Sequence, residues 1–191
     1  NMDALLDAGI PFKLNAVAMR GFNDDELPAF IDYAMHHPID VRFIEFMPMG
    51  EGTRWSDSCF WSAPDILDAV KGLVAVAPVE QEQRNGGPAR LYTLSGPDGP
   101  GLGRLGLISP LSSHFCTSCN RLRITSDGAL RTCLFDDREY RLRNALRHPK
   151  LGIEAVRRIV TLATRDKPIG ARLLERRHNA VAQRRMTAIG G

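Results

Sequence analysis

The chain has 191 residues, 43% of them apolar, enough for one sizeable core or two small ones. With 25 Lys and Arg against 22 Asp and Glu the formal charge is only +3, but it is unevenly spread, and basic residues dominate from Tyr140 onward. No apolar run approaches the roughly 18 residues that cross a bilayer and no signal peptide is visible, so the expectation is a soluble, cytoplasmic protein without a membrane partner.

Met2 to Gly9 carries apolar residues at helical spacing and stops at a glycine, a common helix end. Pro11 to Met19 reads as a buried strand with Lys13 and Asn15 on one face. Asn23-Asp24 is placed to cap a helix running to about His36. Val41 to Met47 is a second strand, so the chain opens as a piece of a β/α repeat with parallel strands. In such barrels the chemistry sits at the C-terminal strand ends. Lys13, Asn15, Arg42 and Glu45 interrupt these apolar strands; they either pair with one another or face outward, or they serve a ligand.

Residues 48–61 are Gly-rich and polar, hence a loop, and its Cys59 reads as an incidental thiol. Ser62 caps a helix to Gly72 with Pro64 in its first turn. Strands are expected over 74–79, 90–95 and 102–108, with loops over 81–88 and 96–101, giving a short-stranded antiparallel sheet.

Cys116, Cys119 and Cys133 then form a C-x2-C-x13-C pattern. Residues 121–134 read as a hairpin whose Asp127-Gly128 pair makes the turn, so Cys133 returns toward Cys116 and Cys119. Three soft thiolates favour zinc or an iron–sulfur cluster over magnesium or calcium. A closed zinc site needs a fourth ligand, His114 or Cys59, whereas a cluster with three protein ligands keeps one iron open. Arg121 and Arg123 alternate on the strand leaving the ligand turn, which suits an anion such as phosphate, or else a pair of solvated arginines. Helices are expected over 138–147 and 152–164. From Arg165 the chain reads as a basic tail without periodicity, ending in Gly190-Gly191.

The runs Phe115-Cys-Thr-Ser-Cys-Asn-Arg-Leu-Arg-Ile and Ser126-Asp-Gly-Ala-Leu-Arg-Thr-Cys-Leu-Phe135, with the final Ile189-Gly-Gly, resemble the GTP 3',8-cyclase family, also called molybdenum cofactor biosynthesis protein A. Lys13-Leu-Asn-Ala-Val, Gly21-Phe-Asn-Asp-Asp, Arg42-Phe-Ile-Glu-Phe-Met47 and Gly87-Pro-Ala-Arg90 match the same family in the same order, so the resemblance spans almost the whole chain. The C-x3-C-x2-C motif that holds the first cluster of these radical S-adenosylmethionine enzymes does not occur in this sequence, so the resemblance is to their C-terminal part.

The resemblance implies an α/β chain: residues 1–50 the last units of an incomplete, TIM-like radical S-adenosylmethionine barrel, 51–164 a small α+β domain with an auxiliary [4Fe–4S] cluster, and 165–191 the tail. It implies the enzyme that converts GTP to (8S)-3',8-cyclo-7,8-dihydroguanosine 5'-triphosphate, the first step of molybdenum cofactor biosynthesis, with this portion inactive alone. Cys116, Cys119 and Cys133 would hold the auxiliary cluster, whose open iron would bind the guanine of GTP. Lys13, Arg121 and Arg123 would bind the triphosphate, Arg42 and Met47 would line the S-adenosylmethionine pocket, and Gly190 and Gly191 would reach the active site. The complete enzyme would add S-adenosylmethionine and a second [4Fe–4S] cluster, would pass its product to cyclic pyranopterin monophosphate synthase, and would be compatible with a homodimer. The competing reading is a zinc- or cluster-bearing nucleic-acid-binding module, supported by the basic C-terminal region. Only 7% of residues are aromatic and no stacking platform is evident, so no nucleic-acid partner is expected.

Overall fold

The computed structural model describes residues 2–50, 52–80, 87–176 and 188. The chain divides into two compact units, residues 1–46 with 56–114, and residues 47–55 with 115–191. No helix among the described residues is long and apolar enough to cross a membrane.

The first unit begins with helix α1 (Met2–Asp7) and strand β1 (Lys13–Ala18), followed by α2 (Leu27–His36), β2 (Asp40–Glu45), α3 (Ala63–Lys71), β3 (Ala75–Pro78), β4 (Arg90–Gly96) and β5 (Gly99–Ile108). The five strands form one sheet in the order β1-β2-β5-β4-β3. β1, β2 and β5 run parallel, while β3, β4 and β5 are antiparallel neighbours. The antiparallel sheet expected in the middle of the chain therefore continues the parallel strands. Helix α3, β3 and β4 lie between β2 and β5 and supply the long connection that a parallel pair requires.

Alternation sorts the side chains onto two faces. Leu14, Ala16 and Ala18 of β1, Val41 and Phe43 of β2, and Leu105 and Leu107 of β5 share a core with Leu27, Ile31 and Ala34 of α2 and Ile66 and Val70 of α3. The helical residues recur every three or four positions, which is why one stripe of each helix is apolar. The other face is polar on the parallel strands. The register sets Lys13 beside Asp40 and Asn15 beside Arg42, and next in the sheet Asp40 beside Arg104. Gly103 has no room for a side chain, since a Cβ there would run into the main-chain oxygens of Ile39, His37 and Ala34.

Two local expectations are corrected in this unit. Asn23 and Asp24 do not cap α2: Asn23 accepts from the Met19 N–H and donates to the Val17 carbonyl, and Asp24 accepts from the Gly21 N–H. The helix starts later, after Glu26, with Pro28 in its first turn, where the missing N–H is harmless. The Gly- and Pro-rich stretch 96–101 is only partly a turn, because β5 begins at Gly99, paired with Gly96. By contrast Ser62 caps α3 as expected, its Oγ accepting from the Asp65 N–H at 3.2 Å.

The second unit holds a two-stranded sheet, β6 (Arg123–Ile124) with β7 (Leu130–Arg131), and helices α4 (Leu142–Arg147), α5 (Gly152–Arg165) and α6 (Gly170–Arg176). The hairpin turns where expected, through Gly128 at φ +82°, which costs a glycine nothing. The helix expected from Arg138 starts only at Leu142, because the Tyr140 N–H and carbonyl bond the Leu130 main chain at 3.0 and 2.8 Å. Residues 170–176, read as part of a featureless tail, are helical. Gly190 and Gly191 lie outside the described residues.

Candidate functional site

The cysteine pair sits on one short turn. Cys116 opens a single 3-10 turn, Cys116–Ser118, and the Cys119 N–H closes it on the Cys116 carbonyl at 3.3 Å. The chain then runs out along β6 and back along β7, and Cys133 follows two residues after β7. All three thiols are half-buried and free of disulfides.

Burial and neighbouring groups move the Cys133 and Cys119 thiols in opposite directions. Burial pushes the Cys133 thiol up, and the charges of Cys116, Asp136 and Cys119 push the same way, against the Phe135 main chain. Burial also raises Cys119, but the Arg121 main-chain N–H and the Lys167 ammonium outweigh it and hold that thiol below its ordinary value. Lys167 Nζ donates to the Cys119 carbonyl at 2.8 Å, the Arg121 carbonyl at 2.9 Å and the Cys119 Sγ at 3.4 Å.

Arg123 is half-buried beside this group. Burial and the Arg121 charge lower its pKa, while Cys119 and Cys133 work in the opposite direction. Directly across the hairpin stands Arg131. Two like charges so opposed would destabilise the pair, but Arg131 is fully buried and is answered by Glu139 at 3.4 Å and Asp137 at 3.6 Å. It also donates to the Asp136 carbonyl at 2.5 Å and the Leu134 carbonyl at 3.4 Å, gathering the loop that follows Cys133. Among the described residues no carboxylate is paired with Arg123, which leaves its charge available to a ligand. Arg121 is exposed.

The remaining expected site residues distribute as follows. Lys13 and Arg42 share the polar face of the sheet. Arg42 is buried and bonds Asp40 at 2.8 Å, its stem lying over Gly106, where a Cβ would come within 2.7 Å of Cγ. Met47 is half-buried and belongs to the second unit. Of the two residues considered for closing a zinc site, His114 is exposed, and the Cys59 sulfur is engaged with Ser56. Among the described residues no group of three His, Cys, Asp or Glu side chains is placed to hold a metal ion. The donor types nevertheless suit an iron–sulfur cluster in kind: soft thiols at Cys116, Cys119 and Cys133, with the charges of Cys116 and Cys119 both acting on Cys133.

Two residues gain importance only from the structure. Lys167 lies in the stretch expected as a basic tail, and nothing in its sequence context signals the cysteine turn far upstream. Glu45, noted only as a polar strand position, is 1% exposed and gathers the N–H groups of Ala63 at 2.9 Å, Leu111 at 2.8 Å and Ser112 at 3.0 Å, together with the Ser112 hydroxyl. It thereby fixes the segment leading from β5 toward the cysteines.

Comparison with known proteins places this geometry in context. The family model for Molybdenum Cofactor Synthesis C matches residues 39–173. A GTP 3',8-cyclase of Alkaliphilus oremlandii is 44% identical over 182 residues, 95% of this chain and 52% of the relative. Those of Syntrophomonas wolfei and Pelotomaculum thermopropionicum are 42% and 37% identical, covering 83% and 100% of this chain and 47% and 56% of their own. The chain thus spans about half the length of the curated relatives it matches.

Proposed function

Because the chain belongs to the Molybdenum Cofactor Synthesis C family, we propose that it is the part of a GTP 3',8-cyclase that binds GTP through an auxiliary [4Fe–4S] cluster on Cys116, Cys119 and Cys133. The observation that supports this reading is the turn and hairpin that carry Cys116, Cys119 and Cys133 in one short segment, with Arg123 half-buried on the first strand of that hairpin. When bound, such a cluster supplies an iron with one position open to a guanine donor atom, since only three thiolates come from the protein.

The chain's own residues do the rest. Arg123 and Arg121 offset phosphate charge, and Lys13 contributes a further cation to the triphosphate. Arg123 is half-buried, so its hydrogen bonds form where competing water is scarce and orient as well as attract. Orientation is the physical task, because selecting one C–H bond of a ribose tolerates little misplacement. Arg42 and Met47 are assigned to S-adenosylmethionine and the terminal Gly190-Gly191 to the active site, by family resemblance. On this reading residues 1–50 extend a barrel, 51–164 carry the cluster domain, and this chain alone does not turn over GTP.

The test is anaerobic reconstitution with iron and sulfide, followed by metal analysis and a GTP titration watched by electron paramagnetic resonance. The expected result is about four irons per chain and a cluster signal that GTP changes in wild type but far less in R123A. Stoichiometric zinc without a cluster, or tight and steeply salt-dependent nucleic-acid binding without a GTP response, would overturn the proposal and favour the nucleic-acid module.

A further inference from the structure

Lys167 sits on the short link between α5 and α6 and Gly170 opens α6, and this stretch approaches two of the three thiols in different ways. A lysine ammonium has three N–H donors and no acceptor. Among the described residues, the acceptors bonded by Lys167 belong to the cysteine turn and the residues just after it: the carbonyls of Cys119 and Arg121 and the Cys119 sulfur. Three residues later, buried Gly170 lies so close to the third thiol that a Cβ there would fall 2.7 Å from Cys133 Sγ and 2.9 Å from the Phe135 ring. The first contact needs a long cationic side chain and the second needs no side chain at all.

Resting on the assignment of these thiols as cluster ligands, we infer that Lys167 and Gly170 form a brace that positions Cys119 and Cys133, and that the Lys167 ammonium tunes the bound cluster by donating to a ligating sulfur. The brace acts through the ligands, so both are positioning residues. Groups that hold metal ligands from outside usually matter about tenfold or more for retention of the metal. Hydrogen bonds to the sulfurs and nearby net charge are also what set a cluster's reduction potential.

Two substitutions separate the roles. K167M keeps a long apolar stem but removes the charge and the donors. G170A adds only the methyl that would press on Cys133, and alanine favours a helix more than glycine does, so α6 itself is not weakened. The full chain is reconstituted with iron and sulfide in each form. Iron content, cluster loss to a chelator, midpoint potential and far-ultraviolet circular dichroism are then measured. With the fold unchanged, both variants should lose the cluster about tenfold faster than wild type. K167M should also be harder to reduce by about tenfold in equilibrium constant, about 59 mV for one electron.

A wild-type chain that takes up no iron overturns the ligand assignment. Full loading of wild type with both variants matching it in retention and potential overturns the brace while leaving the ligands standing. Faster loss from K167M at an unchanged potential overturns the tuning role and reduces Lys167 to a tether. Should K167M fail to fold, K167Q, which removes the charge but keeps a polar stem, replaces it for the potential and G170A decides the brace.

Discussion

Asp40 is 5% exposed and lies between two guanidiniums, Arg104 at 2.7 Å and Arg42 at 2.8 Å. Burial opposes its charge, but the hydrogen bonds and charges of Arg104 and Arg42 outweigh burial and hold the carboxyl below its ordinary value of 3.8. A carboxylate depressed in the folded state stabilises the fold above its unfolded pKa, and that contribution is lost as pH falls through the folded value. D40N should therefore cost about 3 kcal/mol in urea unfolding at pH 7, and the gap to wild type should close as the pH drops below 3.8. Glu45 is the companion case, an acceptor rather than an ion-pair partner. E45A strands three main-chain N–H groups, and at about 1 kcal/mol each the expected loss is about 3 kcal/mol. A loss below 1 kcal/mol would mean that water replaces the carboxylate.

Elements start and stop where local chemistry meets a tertiary demand. Helix α3 is locally specified: the Ser62 hydroxyl caps it, a proline sits in its first turn, and Asp65 adds a negative charge there. S62A should lower stability by about 1 kcal/mol without altering the sheet, measurable as a shift in the unfolding midpoint. Helix α2 is governed from outside, because Asn23 and Asp24 spend their side chains on the preceding turn. The hairpin β6–β7 is short, two residues a side, yet it carries Arg123 and returns Cys133. Thr125 reinforces its turn, bonding Asp127 at 2.6 Å and receiving the Ala129 N–H at 2.9 Å.

The two units have different interiors. The first buries Phe43, Ile31, Ile66, Leu94 and Leu105 in one apolar cluster. In the second, the largest fully buried side chain among the described residues is Arg131, held by carboxylates and carbonyls. An ionic interior contributes less net stability than an apolar one of the same volume. Heating the cluster-free chain should therefore give two transitions, the lower belonging to the cysteine unit. Loading the cluster should raise that lower transition alone, because ligand binding stabilises only the unit that binds. Hydrogen exchange resolved by segment would check it, with protection on loading confined to residues 115–176. Equal protection of β1 and β2 would refute it.

The sequence by itself determined the alternation of the strands, the cap of α3 and the Asp-Gly turn that sends β7 back along β6. Each of these depends on neighbours within about a dozen residues, where periodicity and turn chemistry act directly. The polar face shared by Lys13 and Asn15 was legible for the same reason. Only the tertiary structure decided that β5 lies beside β2, that Glu45 gathers the loop after β5, that Arg131 is buried with Asp137 and Glu139, and that Lys167 reaches the cysteine turn. Strand order and buried polar pairing are settled by which distant groups leave the fewest polar atoms unsatisfied. That competition among distant partners has no signature in local spacing.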